Sequence, residues 1–337
     1  MKIDIYVYLI SCNAWTYTYG YIDALKNMNL LNKYGNITDW YNKDNYSKLF
    51  DTEADYIIMI GPEHHRDKIF NQKFNISKNG KKVIGILYES IFDPFGYKSW
   101  KIAGFPWLSV NYGKCGVASK ICYSQVGVIE QFKSFDYIFT QDEVDMKIFN
   151  SNGLNSFFLP ACVDTQIFKP TTNKPNREAG FVGNPWWPRN YFIKNYKHPL
   201  KIMTTPRQSN KDYESTKRAT ETLVSAFSSF LINFNLRSPF AGISMRTFEI
   251  MACARYPLIF QPAPDRKLYY KLFKDIPMTF INEWSPQSIK KTREVHDYYL
   301  SHYDEAIKLG LKCRNLIESE HTPKHRINEI LSRLKSK

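Results

Sequence analysis

The chain has 337 residues, 43% hydrophobic and 23% charged, a balance that excludes a disordered or fibrous protein and predicts a globular one of two domains. Its net charge of +14 is lopsided: residues 1–170 hold 18 Lys+Arg against 17 Asp+Glu, and residues 171–337 hold 28 against 15. A basic second half suits an anionic partner such as a nucleotide diphosphate, a nucleic acid or an anionic membrane surface, although a solvated lysine-rich face accounts better for any single lysine.

Lys2 to Ile10 is an opening strand, followed by a polar and aromatic stretch, Ser11 to Tyr19, and by helical spacing from Gly20 to Leu31. Residues 36–56 alternate polar and aromatic types and carry no clear period. Ala54 to Ile60 (ADYIIMI), Lys82 to Leu87 (KVIGIL) and Phe135 to Thr140 (FDYIFT) are short apolar runs of buried-strand type. A helix is expected to begin near Gln141-Asp142-Glu143, with Asp142 as its starting carboxylate. Ser156 to Leu159 is a short strand. The Pro-rich, polar segment 165–178 is the linker expected between domains 1–170 and 171–337.

The pattern then restarts. Glu178 to Gly183 is a strand running into Gly183-Asn184-Pro185, Pro199 to Met203 another, and Tyr213 to Ala226 a helix. Phe230 to Phe234 is a strand, residues 237–242 carry loop signals, Arg246 to Ala254 has helical spacing, and Tyr256 to Phe260 is a further apolar run. Pro277 to Ile281 is expected as a last strand. From Ser288 onward the chain is helical, with a break around His321-Thr322-Pro323. Strands alternating with helices predict an α/β fold with parallel sheets whose strand ends face a cleft.

The six cysteines (Cys12, Cys115, Cys122, Cys162, Cys253, Cys313) form no C-x-x-C pair and have no histidine at zinc spacing, which predicts free thiols in a reducing compartment. No run approaches the ~18–20 apolar residues of a membrane span. The chain opens on a strand-like run rather than a signal peptide, so the expectation is a soluble cytoplasmic protein.

Arg246 and Glu249 interrupt an otherwise apolar helical pattern. Residues three apart share a helix face, and a cation at a helix start opposes the helix dipole unless an anion joins it. Spacing alone fits an i,i+3 surface ion pair; an anionic ligand bearing hydroxyls would explain both residues.

Three segments resemble the two-domain nucleotide-sugar glycosyltransferases of GT-B architecture, in particular group-1-like and CgeB-like members. They are FDYIFTQDEVDMKIFNSNGLNSFFLPACVDTQIFKP (135–170), EAGFVGN (178–184), and R-T-F-E-I-M-A-C (246–253) with its following strand. The resemblance implies two facing Rossmann-like domains, an N-terminal acceptor domain and a C-terminal donor domain, with a helical C-terminus. It implies a hexosyltransferase-like enzyme moving a sugar from a nucleotide-diphosphate donor, such as a UDP-sugar, to a hydroxyl of a glycan, surface polymer or small molecule. Arg246 then binds donor phosphate and Glu249 the ribose hydroxyls. Gly183 and Asn184 let backbone approach the diphosphate, and Arg189 adds a phosphate contact or stacks at the surface on Trp186 or Trp187.

Glu89, at the end of KVIGILYE, is the candidate base for the acceptor hydroxyl, with Asp93 second. His64 and His65 also follow a strand end, but adjacent loop histidines fit solvent exposure better. The chain has no Asp-x-Asp triplet, so no metal ligands are assigned and no cofactor is expected beyond the donor, with a divalent ion left open. Ala241 stands where a Glu eight residues before Glu249 would complete the Glu-x7-Glu pattern of retaining members, which favours inversion.

Residues 86–100 and 228–260 are also similar to parts of phage DNA β-glucosyltransferases, which would make DNA the acceptor. A non-catalytic nucleotide- or sugar-binding module and a two-domain epimerase are the other readings.

Overall fold

The computed structural model describes residues 1–7, 15–36, 48–62, 78–88, 129–130, 132–172, 174–185, 189–204, 212–236, 244–259, 266–274, 276–279 and 286–335. The chain divides into two compact units. One comprises Met1–Pro160, Ser209–Tyr213 and Ile327–Lys337; the other comprises Ala161–Gln208 and Glu214–Arg326.

The first unit runs β1 (Ile3–Val7), a 3-10 turn (Trp15–Tyr17), α1 (Tyr19–Asn27), β2 (Leu31–Asn36), β3 (Tyr56–Ile60), β4 (Lys82–Leu87), β5 (Tyr137–Thr140), α2 (Glu143–Ser151) and β6 (Ser156–Phe158). Its six strands are all parallel, in the order β2-β1-β3-β4-β5-β6. The central strands are rich in Ile and Val and buried almost throughout, as a sheet covered on both faces requires. Met59, Val83, Ile138, Phe132 and Phe149 belong to one core cluster of this unit. Asp142 caps α2 as expected, its carboxylate accepting from the Val144 amide at 2.7 Å and the Asp145 amide at 3.3 Å. β2 departs from the expectation that carries helical spacing through to Leu31. LNKYGN is a half-exposed edge strand paired only with β1, so its sequence carries no apolar alternation.

The second unit runs β7 (Asn176–Val182), α3 (Arg189–Tyr196), β8 (Lys201–Met203), α4 (Tyr213–Ser229), β9 (Phe230–Asn235), α5 (Met245–Ala252), β10 (Tyr256–Ile259), α6 (Arg266–Phe273), α7 (Pro286–Ser301), α8 (Tyr303–Glu320) and α9 (Pro323–Lys335). The residues of α9 from Ile327 onward group with the first unit. The four strands are parallel in the order β10-β9-β7-β8. In each unit the strand order reverses beside the first strand, between β1 and β3 and between β7 and β9. These are the topological switch points at which open α/β sheets take ligands.

The expected strand at Pro277 to Ile281 is absent over its described part, residues 277–279. Pro277 has no N–H to give a ladder. The segment is held by a side chain instead: the Tyr256 hydroxyl donates to the Pro277 carbonyl at 2.6 Å and lies 2.8 Å from Thr279 Oγ1.

The back of α5 is fixed by close packing. A Cβ on Gly310 of α8 would lie 2.3 Å from the Ala254 carbonyl oxygen, so the two backbones meet where only glycine fits. Arg255, buried beside this contact, places its guanidinium on the carbonyls of Ser228 (3.1 and 2.8 Å), Ala254 (2.8 Å) and Thr172 (2.6 Å). Among the described residues no helix is long and apolar enough to cross a membrane.

Candidate functional site

The site is built at the carboxyl ends of β7 and β9. Ser244 caps α5, its hydroxyl accepting from the Arg246 amide at 3.3 Å. Phe248, Ile250, Met251 and Ala252 are buried and hold the helix to the unit. Asn235, the last residue of β9, donates from Nδ2 to Thr247 Oγ1 at 2.7 Å and ties the strand end to the helix.

On this frame Arg246 and Glu249 meet, with Nε 3.4 Å from Oε2. The ion pair suggested by the spacing is made, but it is not at the surface: the Glu249 side chain is 4% exposed and that of Arg246 28%. The Arg246 guanidinium lies over the Phe227 ring, 5.2 Å from its centre. Burial pushes the Glu249 carboxyl above the usual carboxylate range, and the Arg246 charge acts in the opposite direction.

A polar account of the pair does not close. Arg246 Nη1 and Glu249 Oε2 are both buried and have no hydrogen-bond partner among the described residues. Each such atom costs about 1–3 kcal/mol in a protein interior. A donor and an acceptor kept together at that cost, at a helix start beside a switch point, have the chemistry of a grip for a ligand carrying both anionic oxygens and hydroxyls.

Gly183 follows β7, and its amide donates to the Met203 carbonyl at 2.8 Å. A Cβ there would lie 3.1 Å from the Phe181 ring and 3.7 Å from Arg189 Nη1. Arg189, the first residue of α3, donates from Nε to the Leu236 carbonyl at 3.1 Å and from Nη1 to the Asn184 carbonyl at 3.2 Å. Its guanidinium lies 5.6 Å from the Phe181 ring centre. Arg189 therefore staples the ends of β7 and β9 across the switch point, a use that neither expectation for it contained. Trp186 and Trp187 lie outside the described residues.

The structure thus gathers Gly183, Asn184 and Arg189 at one strand end, and Arg246 with Glu249 on the helix after the neighbouring strand. Glu89, Asp93, His64 and His65 lie outside the described residues. Phe227 and Asn235 were missed in the sequence, where they are indistinguishable from core and strand residues. Among the described residues no group of three or more His, Cys, Asp or Glu side chains is arranged to hold a metal ion.

Residues 165–332 match the glycosyl transferase-like family model. No curated protein matches the chain. Among solved structures, the chain is similar to Anabaena Alr3699/HepE in complex with UDP, with 10% identity, full coverage of both chains and a TM-score of 0.58. It is similar to the UDP-forming alpha,alpha-trehalose-phosphate synthase of Burkholderia vietnamiensis, with 8% identity, full coverage of both and a TM-score of 0.58. It also resembles S. aureus TarM, with 12% identity over 82% of this chain and a TM-score of 0.53. There the match covers 54% of TarM, about half its length. At such identities the likeness is one of fold. Residues 165–332 match the glycosyl transferase-like family, and the chain shares the GT-B fold of these structures.

Proposed function

We propose that the protein transfers a sugar from a nucleoside-diphosphate donor, a UDP-sugar, to an acceptor hydroxyl. The second unit, approximated in the sequence by residues 171–337, holds the donor, and the first, approximated by residues 1–170, receives the acceptor. The observation that carries this reading is the Arg246–Glu249 ion pair around a buried carboxylate, in which Arg246 Nη1 and Glu249 Oε2 make no hydrogen bond among the described residues. Arg246 binds diphosphate oxygens and Glu249 accepts the two ribose hydroxyls. Backbone at Gly183 and Asn184 approaches the diphosphate, and Arg189 holds that backbone in position. Support for uridine comes from the UDP complex of the HepE structure.

In the transfer step the acceptor oxygen bonds to the anomeric carbon as the bond from that carbon to the diphosphate oxygen breaks. The nucleoside diphosphate leaves with the electron pair. The acceptor proton passes to Glu89, one residue beyond Tyr88 at the end of β4, or to Asp93. Leaving-group charge is met by Arg246 and the α5 start. The cytoplasm as compartment is supported by Cys162, Cys253 and Cys313, which are buried free thiols. No observation favours nucleic acid as the acceptor.

Isothermal calorimetry with UDP tests the donor grip. Arg246→Ala and Glu249→Ala should each weaken binding by about 2 kcal/mol, roughly 30-fold. Glu89→Gln should leave UDP affinity intact and abolish transfer. Unchanged affinity in both donor-site variants would sink the assignment.

A further inference from the structure

α3 follows the Gly183–Asn184 strand end, and α7 holds its far end. Arg189, the first residue of α3, binds the carbonyls of Asn184 and Leu236. Just past the last, Lys197 with φ +46° turns the chain out of the helix. Arg293 of α7 places a cation on that end, donating from Nε to the Tyr196 carbonyl at 2.7 Å and from Nη2 to the Asn195 carbonyl at 3.3 Å. His198 Nε2 lies 2.7 Å from Asp297 Oδ1. Beside these contacts is a buried one: the Tyr196 hydroxyl is 2.7 Å from His296 Nδ1, and both residues are 1% exposed. His296 Nε2 is buried with no hydrogen-bond partner among the described residues. The rings of Tyr196, His198 and Phe234 lie around the imidazole, at 6.1, 4.8 and 6.0 Å between centres.

This contact has no place for a second proton. With the ring neutral, the phenol donates to Nδ1. With the ring charged, Nδ1 becomes a donor, while the phenol, whose pKa burial raises, keeps its own proton. That proton and the Nε2–H then both lack acceptors among the described residues. The charged groups bearing on the ring give no relief. His198 repels a second cation, and Asp297 is engaged by His198. Arg293, a further cation on the same helix, lies 5.9 Å from the Tyr196 ring centre, and β9 faces the site with the uncharged Phe234. We propose that the Tyr196–His296 contact is a proton-sensitive clasp on α3: acid opens it, frees the carboxyl end of the helix and, through Arg189, loosens the backbone that approaches the donor diphosphate. Burial first and His198 second lower the His296 pKa to about 4. Between the ordinary imidazole value of ~6.5 and that value, the open form binds the proton and the closed form does not. Closure therefore weakens as pH falls through this window. The link to the donor rests on the donor reading of the Gly183–Asn184 strand end; the opening of α3 does not.

The test is amide hydrogen exchange by mass spectrometry on the full chain, corrected for the intrinsic pH dependence of exchange. From about pH 8 to about pH 5 the opening constant of α3 should rise about 30-fold, and that of β9 in the same unit by less. The rise at α3 should vanish in His296→Phe. It should vanish equally in Tyr196→Phe/His296→Phe, which removes the polar atoms of the contact together and so leaves none of them orphaned. Saturating UDP at the lower pH should suppress α3 opening about tenfold or more in the wild type. A flat α3 response in the wild type, or the same rise in both variants, would overturn the clasp. Exchange at α3 that UDP leaves unchanged, in a wild type that binds UDP by calorimetry, would overturn its link to the donor. Failure of the wild type to bind UDP would sink the donor reading instead, and the pH response of α3 is read separately from it.

Discussion

Arg246 and Arg255 flank one short helix, and both carry guanidinium atoms into the interior of the same unit. Arg255 is 3% exposed and places all three guanidinium nitrogens on backbone carbonyls. Arg246 makes one ion pair, rests on a phenylalanine ring, and leaves Nη1 buried without a partner among the described residues. The first arginine holds segments of the chain together. The second retains binding capacity that the fold does not consume. Exposure alone would have ranked Arg255 as the more unusual residue; counting hydrogen bonds reverses the order. A buried arginine whose guanidinium nitrogens are all hydrogen-bonded is structural, whereas one with an unbonded nitrogen beside a carboxylate oxygen that makes no hydrogen bond has the chemistry of a binding group.

The comparison can be broken in three ways, in falling order of effect. Arg255→Leu strands the carbonyls of Ser228, Ala254 and Thr172, and should cost about 3 kcal/mol of stability and several degrees in Tm, read by thermal denaturation. A loss within experimental error would show that Arg255 is not the clamp its contacts describe.

The double variant Arg246→Met/Glu249→Leu should behave oppositely. Replacing a buried ion pair with apolar side chains of similar size is neutral or stabilising, here by up to about 1 kcal/mol, yet UDP binding should disappear. A large loss of stability would place the pair with Arg255 as a structural device.

The smallest effect is one of pH. Glu249 has a carboxyl pKa raised by burial, with the Arg246 charge opposing the shift, so between its unfolded and folded values the native state binds more protons than the unfolded one. Stability therefore falls as pH rises through that window. Denaturation of the wild type from the ordinary carboxylate range upward in pH should carry this slope, superimposed on other titrations, and Glu249→Gln should lack it. Identical profiles would remove the buried carboxylate from the account.

Much of the fold was legible because the central strands are simple. KVIGIL appears as β4 without a residue gained or lost, and the apolar core of ADYIIMI as β3, since strands buried on both faces must be continuously apolar. LNKYGN gave no such sign, because an edge strand is stabilised by its neighbour's backbone rather than by its own side chains. The run from Pro277 failed for the opposite reason: its apolar content serves the core, but a tyrosine hydroxyl rather than a strand partner takes the backbone. At the site, the spacing of Arg246 and Glu249 predicted their contact, since i,i+3 geometry is local. Their burial was not legible, because it depends on side chains such as Phe227 that come from elsewhere in the chain. Arg189 shows the same limit: its partners Leu236 and Asn184 meet only through the order of β7 and β9 in the sheet.

Gly310 bears on how the proposed donor grip would work. By letting α8 press its backbone against the carbonyl of Ala254, it gives α5 a backstop. Interiors packed to contact transmit displacement rather than absorb it. A helix stopped at its carboxyl end cannot retreat when a diphosphate arrives, so accommodation is left to the other end, where Ser244 begins the helix. The proposed grip then behaves as a fixed jaw, to which a donor would be fitted rather than the reverse.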